Sequence, residues 1–147
     1  MTVIDADRSP QGIARDLAAL HGETEAAITV MRSLLAAPDY DEVRVPETRL
    51  RLSRGSMRRL QFLSAFAYPC AMEGASAAQQ EAIRTLQVEA TANRERSSAH
   101  VTKWSSAGIA ADWKGFRRDA AAILTMMTER LHQERDVLLP MLMVRRA

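Results

Sequence analysis

Cysteine is nearly absent from this sequence, since Cys70 is the only one among 147 residues. A single cysteine excludes an internal disulfide, so we expect a reducing compartment. No apolar run approaches the roughly 18 residues that a membrane-spanning helix needs, and the start MTVIDADRSPQG lacks the apolar stretch of a secretory signal. These absences predict a cytoplasmic protein that does not enter a membrane.

An excess of charge of one sign is also absent. The 20 Lys and Arg residues nearly balance the 18 Asp and Glu residues, which leaves a net charge of +2. That charge is too small to indicate nucleic-acid or membrane binding by itself. Six arginines lie between positions 44 and 59. Binding of single-stranded nucleic acid would favour aromatic residues interleaved with such charges, but this segment contains none. We expect an ordinary solvated face there, or a surface for an acidic protein partner.

Motifs that carry catalysis are missing as well. The sequence has no glycine-rich phosphate loop, no zinc-finger spacing and no evident nucleophile beside a base. We therefore expect no enzyme activity and assign no catalytic residue. The composition, 47% hydrophobic and 26% charged, is that of a globular protein. A chain of this length fits one domain, which buries roughly 68–70% of its unfolded surface.

Apolar residues recur with the period of a helix along the whole chain, and no sustained alternation predicts a strand. Ser9-Pro10 is a helix start, and Ser76 with Gln79 has the form of a capping box. Gly108 is expected to loosen or end the third helix. The predicted helices span about 10–37, 46–72, 76–107 and 112–143, after a flexible N-terminus at 1–8. Four long helices with short connections predict one all-α domain over 1–147, an antiparallel up-down four-helix bundle.

Two segments of the chain share one frame. RLQFLSAFAYP ends at Pro69 and RLHQERDVLLP ends at Pro140, with Arg-Leu and proline at the same spacing in each. Two related helical hairpins would place these segments at equivalent points of the second and fourth helices. Such facing interior positions are where helical bundles build ligand or metal sites. The positions carry Arg59, Leu63, Arg130 and Glu134. This set is poor in metal ligands.

The chain resembles the hemerythrin-like (HHE cation-binding) family over most of its length, most clearly in the second half. The residues that look like the third-to-fourth-helix region of bacterial members are Trp104, the run Ile109-Ala110-Ala111-Asp112-Trp113, Phe116, and Arg130-x3-Glu134-x3-Leu138-x-Pro140. Tyr68-Pro69 looks like the end of the family's second helix. The resemblance implies a four-helix bundle in which histidines and carboxylates from all four helices hold two irons.

The resemblance also implies where metal ligands would lie, and most are missing. The family's second-helix histidine and acid match Arg59 and Leu63. The equivalent fourth-helix positions are Arg130 and Glu134. His21 matches the family's ligand on the first helix, although it could also be an ordinary core histidine. The family's third-helix histidine pair falls near His100 and Trp104. We therefore predict a degenerate site with no metal and no cofactor. The candidate interior pocket comprises His21, Arg59, Leu63, His100, Trp104, Arg130 and Glu134.

Arg130 and Glu134 fall on the apolar stripe of the predicted fourth helix. Because unpaired buried charge is very costly, we predict that Glu134 forms an interior ion pair with Arg59 or Arg130. This pair would supply, with protein atoms, the positive charge that metal supplies in the family. The alternative is that both arginines extend to water at the end of the bundle.

Three functions remain open. The first is a non-enzymatic binding or regulatory protein, with a protein partner and as a monomer or a homodimer. The second is an oxygen or redox sensor or carrier that holds non-haem iron with fewer ligands. The third is a histidine phosphotransfer module, since Ala99-His100-x-x-Lys103-x-Ser105-Ser106 looks like its phosphorylation motif. Trp104 replaces the usual glycine of that motif, and only one long helix follows it. We favour the first function.

Overall fold

The computed structural model of the chain describes residues 9–144, and these residues are helical apart from short connections, with no strand among them. The helices are α1 (Pro10–Ala36), α2 (Arg44–Phe62), α3 (Tyr68–Met72), α4 (Ala77–Lys103), α5 (Ser106–Ala111) and α6 (Trp113–Val144), and a π-helical turn (Leu63–Ala67) joins α2 to α3. The prediction of an all-α protein is confirmed. The predicted flexible segment 1–8 lies outside the described residues.

Capping side chains set where two long helices begin. Ser9 precedes α1, and its hydroxyl accepts a hydrogen bond from the Gly12 N–H at 3.0 Å. Pro10 occupies the first turn, where a missing N–H costs nothing. Before α4, the Ser76 hydroxyl accepts from the Gln79 N–H at 3.1 Å while the Gln79 side chain accepts from the Ser76 N–H at 2.9 Å. The capping box predicted from the sequence is therefore formed.

The third long helix ends earlier than predicted. The sequence placed its end near 107, but α4 stops at Lys103. Trp104 leaves the helix with φ −109° and ψ 89°, and its side chain packs into the core with 7% of its surface exposed. Ser105 then starts the short α5 by accepting a hydrogen bond from the Gly108 N–H at 3.0 Å. Gly108 thus belongs to the first turn of a new helix and does not end the long one.

The second helix also starts before its predicted position. It begins at Arg44 rather than at Pro46. The Asp41 carboxylate accepts hydrogen bonds from the N–H groups of Val43 and Arg44 at 3.1 and 2.8 Å. These bonds satisfy donors that have no partner within a helix, so the Asp41 side chain extends the helix start.

The π-helical turn changes which residues face the interior. Tyr68 follows Arg59 by nine positions, and nine residues of regular α-helix rotate by about 900°, which places two side chains on opposite faces. One extra residue in a π turn removes about 100° of that rotation. Arg59 and Tyr68 therefore both point inward, and both are buried.

Helix α1 packs against α2 and α6, and α6 also packs against α4. Two apolar clusters form the core. The first includes Leu17, Leu63, Ile83, Leu138 and Leu142, and the second includes Ile28, Met31, Ile109, Phe116 and Leu131. The interior also contains buried polar residues of α1, α2 and α6, among them His21, Arg59 and Glu134. No helix within residues 9–144 combines the length and the apolar character that crossing a membrane requires.

Candidate functional site

Glu134 is the centre of a buried polar cluster. Its side chain is fully buried on α6, and its Oε2 accepts a hydrogen bond from Arg130 Nε at 2.8 Å, one turn earlier on the same helix. Its Oε1 accepts from His21 Nε2 of α1 at 2.9 Å. Arg59 Nε of α2 lies 3.1 Å from the same oxygen, close enough for an ion pair but without the alignment of a hydrogen bond. The predicted interior ion pair is present, and it involves both arginines.

Tyr68 extends this cluster, although the sequence did not identify it as a site residue. Arg130 Nη2 donates to the Tyr68 hydroxyl at 3.1 Å. Burial is the main influence on the Tyr68 phenol and raises its pKa, so the hydroxyl is neutral and can accept from Arg130. The sequence places Tyr68 near the end of an apolar helix, and a tyrosine hydroxyl that becomes buried usually needs a hydrogen-bond partner. Its direction depends on the π turn, which the sequence pattern did not predict.

Glu134 is ionised despite its burial. Burial is the largest single influence and raises its pKa, but the hydrogen bond from His21 and the charges of Arg59 and Arg130 together lower the pKa below its ordinary value. The single carboxylate of Glu134 faces the guanidinium groups of Arg59 and Arg130. It can balance only one of these two positive charges.

Several donors of this cluster have no partner among residues 9–144. Arg59 Nη1 and Arg130 Nη1 are completely buried and make no hydrogen bond to any side chain or backbone group in this part of the chain. An unsatisfied buried donor costs about 1–3 kcal/mol, and more when the group is charged. Arg59 and Arg130 are respectively 7% and 3% exposed, so bulk water does not solvate these groups freely. Each guanidinium group therefore has a donor that the described residues do not satisfy, and the group must shift toward the cleft before a ligand can contact that donor.

Both arginines line a cleft of about 420 Å³ between α2 and α4, with residues of α6 between them. The walls are mostly apolar, and Leu52, Leu60, Ile123 and Met127 are half-buried there. The ionisable residues that line the cleft are Arg49, Arg59, Arg94, His100 and Arg130. No Asp or Glu of the part of the chain that the structure describes lines the cleft, so the charged side chains among these lining residues are all cationic.

His100 and Arg49 lie at another part of this cleft, beside Phe116. The His100 ring stacks on Phe116 with centroids 5.6 Å apart, and the Arg49 guanidinium carbon is 5.5 Å from the same ring centroid. Arg49 Nη1 also donates to the Trp104 carbonyl at 2.9 Å. Burial, followed by the charge of Arg49, lowers the pKa of His100. A neutral imidazole therefore lines the cleft at neutral pH.

The expected solvated face of α2 is only partly correct. Of the arginines between positions 44 and 59, Arg49 and Arg59 turn inward, where they line the cleft. The four others are exposed: Arg44, Arg51, Arg54 and Arg58. Sequence reasoning missed Arg49 because it lies in a run of charges. Its place on the inward face of α2 follows from the helical period, since ten residues separate it from Arg59.

The predicted interior pocket is thus divided by the structure. His21, Arg59, Arg130 and Glu134 meet in the polar cluster, and His100 lines the cleft that Arg59 and Arg130 also line. Leu63 does not line the cleft but is fully buried in the first apolar cluster.

Trp104 is also absent from the lining of the cleft. Its ring packs edge-on against Phe116 at 5.7 Å, and its Nε1 donates to Asp119 at 3.0 Å. These contacts assign it to the second core cluster.

The polar cluster does not fit a pair of irons. His21 and Glu134 are the only residues in it of the types that commonly bind iron through nitrogen or carboxylate oxygen, and both Glu134 oxygens already contact cationic or N–H groups. Within residues 9–144, no three His, Cys, Asp or Glu side chains come together in a way that could hold a metal ion. Two guanidinium groups lie beside Glu134 instead, and their charge opposes the approach of a cation.

Comparison with known proteins gives no relative from which a function could be transferred. No protein-family model, no curated protein and no solved structure matches the chain.

Proposed function

We propose that this chain is a hemerythrin-like four-helix bundle with a degenerate metal site, and that it works as a non-enzymatic binding protein. The four members of the bundle are α1, α2, α4 and α6. In this proposal the cluster around Glu134 corresponds to the iron site of the family, because it contains His21, Arg59, Arg130 and Glu134, the positions that the resemblance matches to metal ligands. The observation that carries the proposal is the cleft between α2 and α4, where buried guanidinium groups with free donors border a largely apolar space.

The dimensions and chemistry of the cleft support binding of a small molecule. Its volume of about 420 Å³ lies within the roughly 300–1,000 Å³ that is usual for ligand sites. Such sites combine apolar walls with a few polar groups that fix the orientation of the ligand. Here Arg130 is held by Glu134 and Tyr68, so its guanidinium is already ordered before any ligand binds. Preorganisation of this kind reduces the entropy that binding costs.

Helix α4 provides a route from binding to regulation. Its fully buried residues are Ile83 and Leu86, both in its first half. The second half borders the cleft through small or polar side chains such as Ala90 and Ser97. A helix half with few core contacts can shift at low cost when a ligand enters. A protein partner that responds to such a shift belongs to the same proposal.

The contacts of His100 support a place in the ligand site over a role in phosphoryl transfer. Its ring is half-buried against Phe116, whereas a phosphoryl acceptor must be open to a receiver domain. We predict that His100 does not support a phosphorelay. An acid-labile phosphoryl label that appears on the wild type and is lost only in His100→Gln would contradict this prediction.

The binding function is tested with the neutral fluorescent probe N-phenyl-1-naphthylamine. We expect saturable binding by the wild type, and loss of that binding in Ala90→Trp, because Ala90 is half-buried in the cleft wall. The matched control is Ala92→Trp, on the same helix but exposed and outside the lining. Circular dichroism confirms that each variant folds. Absence of saturable binding by the wild type, or equal effects of the two substitutions, would overturn the proposal.

A further inference from the structure

We infer that the ligand of the cleft is an amphipathic monocarboxylate, with its carboxylate on Arg59 and Arg130 and its apolar body along the walls. This inference rests on the proposed binding function and names the chemical class of the ligand. It is carried by three features of the described residues: an uncompensated charge, two unsatisfied donors and an apolar space beside them.

The charge of the cluster points to a monoanion. Glu134 contacts both Arg59 and Arg130 but can balance only one of them. The described residues that line the cleft include no further carboxylate. An uncompensated charge is costly in a buried site, and a single negative charge on the ligand would remove that cost. A phosphate monoester carries about −1.5 to −2 at neutral pH, so it would exceed the charge that is available.

The free donors point to a carboxylate among monoanions. Arg59 Nη1 and Arg130 Nη1 are both buried and have no hydrogen-bond partner within residues 9–144. A carboxylate has two oxygens in one plane, and charge-assisted hydrogen bonds from guanidinium groups are among the strongest in proteins. The remaining contacts of Arg130, to Glu134 and Tyr68, hold it in place on its other side. After a shift of the two guanidinium groups toward the cleft, one carboxylate would satisfy both donors, which have no partner among residues 9–144.

The walls point to an apolar body attached to that head. Leu60, Ile123 and Met127 are half-buried in the lining, while Met57 and Val101 are 54% and 56% exposed on the α2 and α4 sides. Covering these side chains with an alkyl chain removes apolar surface from water. Methionine side chains adapt to ligands of different shape. A small hydrophilic anion such as acetate would leave this surface exposed.

The test compares decanoate, decanol, decylammonium and decyl phosphate as competitors of N-phenyl-1-naphthylamine, each below its aggregation concentration. We expect decanoate to displace the probe at a concentration lower by about tenfold or more than decanol, since charge-assisted hydrogen bonds distinguish the two. Decylammonium should compete least. Arg59→Met and Arg130→Met should each reduce the preference for decanoate. The control Arg54→Met, exposed on α2 and outside the lining, should retain it.

The outcomes separate this inference from the binding function itself. If decanol competes as well as decanoate, the cleft binds ligands but the carboxylate class is wrong. If decyl phosphate competes better than decanoate, a dianion is the ligand class and the inference fails. If the wild type binds neither the probe nor any decyl compound, both this inference and the proposed binding function are wrong. The comparison of competitors on the wild type decides the question even if an arginine variant does not fold.

Discussion

The two frames that begin at Arg59 and Arg130 share their spacing but differ in content. Where the α2 frame has Leu63, the α6 frame has Glu134, and where the α2 segment has Tyr68, the α6 frame has a leucine. Each frame therefore contributes an arginine and one further polar group to a single cluster. The difference shows how two equivalent segments can form one asymmetric site, in which a single carboxylate serves both arginines.

The backbone differs between the frames as well. Proline has no N–H, and its ring crowds the carbonyl four residues earlier. For Pro69 that carbonyl belongs to Ala65, inside the π-helical turn, whereas α6 continues as α-helix across Pro140. Proline at this spacing is therefore not sufficient for the π turn. The turn also provides the rotation by which the Tyr68 hydroxyl reaches Arg130 Nη2, at 3.1 Å.

The largest expected effect comes from Glu134→Leu. This substitution gives the α6 frame the leucine that the α2 frame has at the equivalent position, Leu63. The substitution leaves two buried guanidinium groups without their carboxylate. We expect a loss of about 3–5 kcal/mol in the free energy of unfolding, as for other broken buried ion pairs. Urea denaturation at neutral pH measures this loss.

A matched control for this change is the triple variant Arg59→Met, Glu134→Leu and Arg130→Met. Apolar replacement of a whole buried ion cluster is often nearly neutral, so most of the lost stability should return. Double-mutant cycles give the coupling of Glu134 with each arginine. Coupling below about 0.5 kcal/mol for both arginines, within the usual error of additivity, would mean that the charges do not act as a cluster.

Acid should remove part of the same stabilisation. The pKa of Glu134 is lower in the folded protein than its ordinary value. Ionised Glu134 therefore stabilises the fold above the unfolded-state pKa, and this contribution is lost as pH falls through the folded pKa. We expect the stability difference between the wild type and Glu134→Gln to narrow between neutral pH and about pH 3, below the ordinary range of carboxyl groups. A difference that stays constant across this range would contradict the assigned charge state.

A smaller effect is expected from Tyr68→Phe, which removes the second polar group of the α2 segment. Arg130 Nη2 loses its acceptor while it remains buried, and this should cost about 1–3 kcal/mol in urea denaturation. The control is Tyr40→Phe, because Tyr40 packs its ring against Trp113 at 5.4 Å and phenylalanine keeps that contact. If Tyr68→Phe costs no more than Tyr40→Phe, the hydroxyl does not contribute to the cluster.

The same frames show what the sequence could and could not predict. Helical periodicity and capping residues predicted the long helices, and a charge on an apolar stripe predicted that Glu134 pairs in the interior. Tyr68 was missed because its direction depends on a change of helical register. Arg49 was missed because it lies in a run of charges, although the helical period places it on the same face of α2 as Arg59. The end of α4 was also missed. Burial of the Trp104 side chain against Phe116 overrides a local sequence that is compatible with helix.

The last prediction concerns metal content: we expect the purified protein to contain no stoichiometric iron. The proposed hemerythrin-like resemblance implies metal ligands on the second and fourth helices at the positions of both frames. Here Arg59 and Leu63 replace them in one frame, and Arg130 replaces the histidine in the other. Protein purified after growth with added iron should contain far less than one iron per chain by elemental analysis. Two irons per chain, or an oxo-bridged charge-transfer absorption that disappears in His21→Ala, would contradict this prediction. One tightly bound metal would favour an oxygen or redox sensor or carrier instead. His21 and Glu134 would then be the first ligands to test, because His21 Nε2 and Glu134 Oε1 lie 2.9 Å apart.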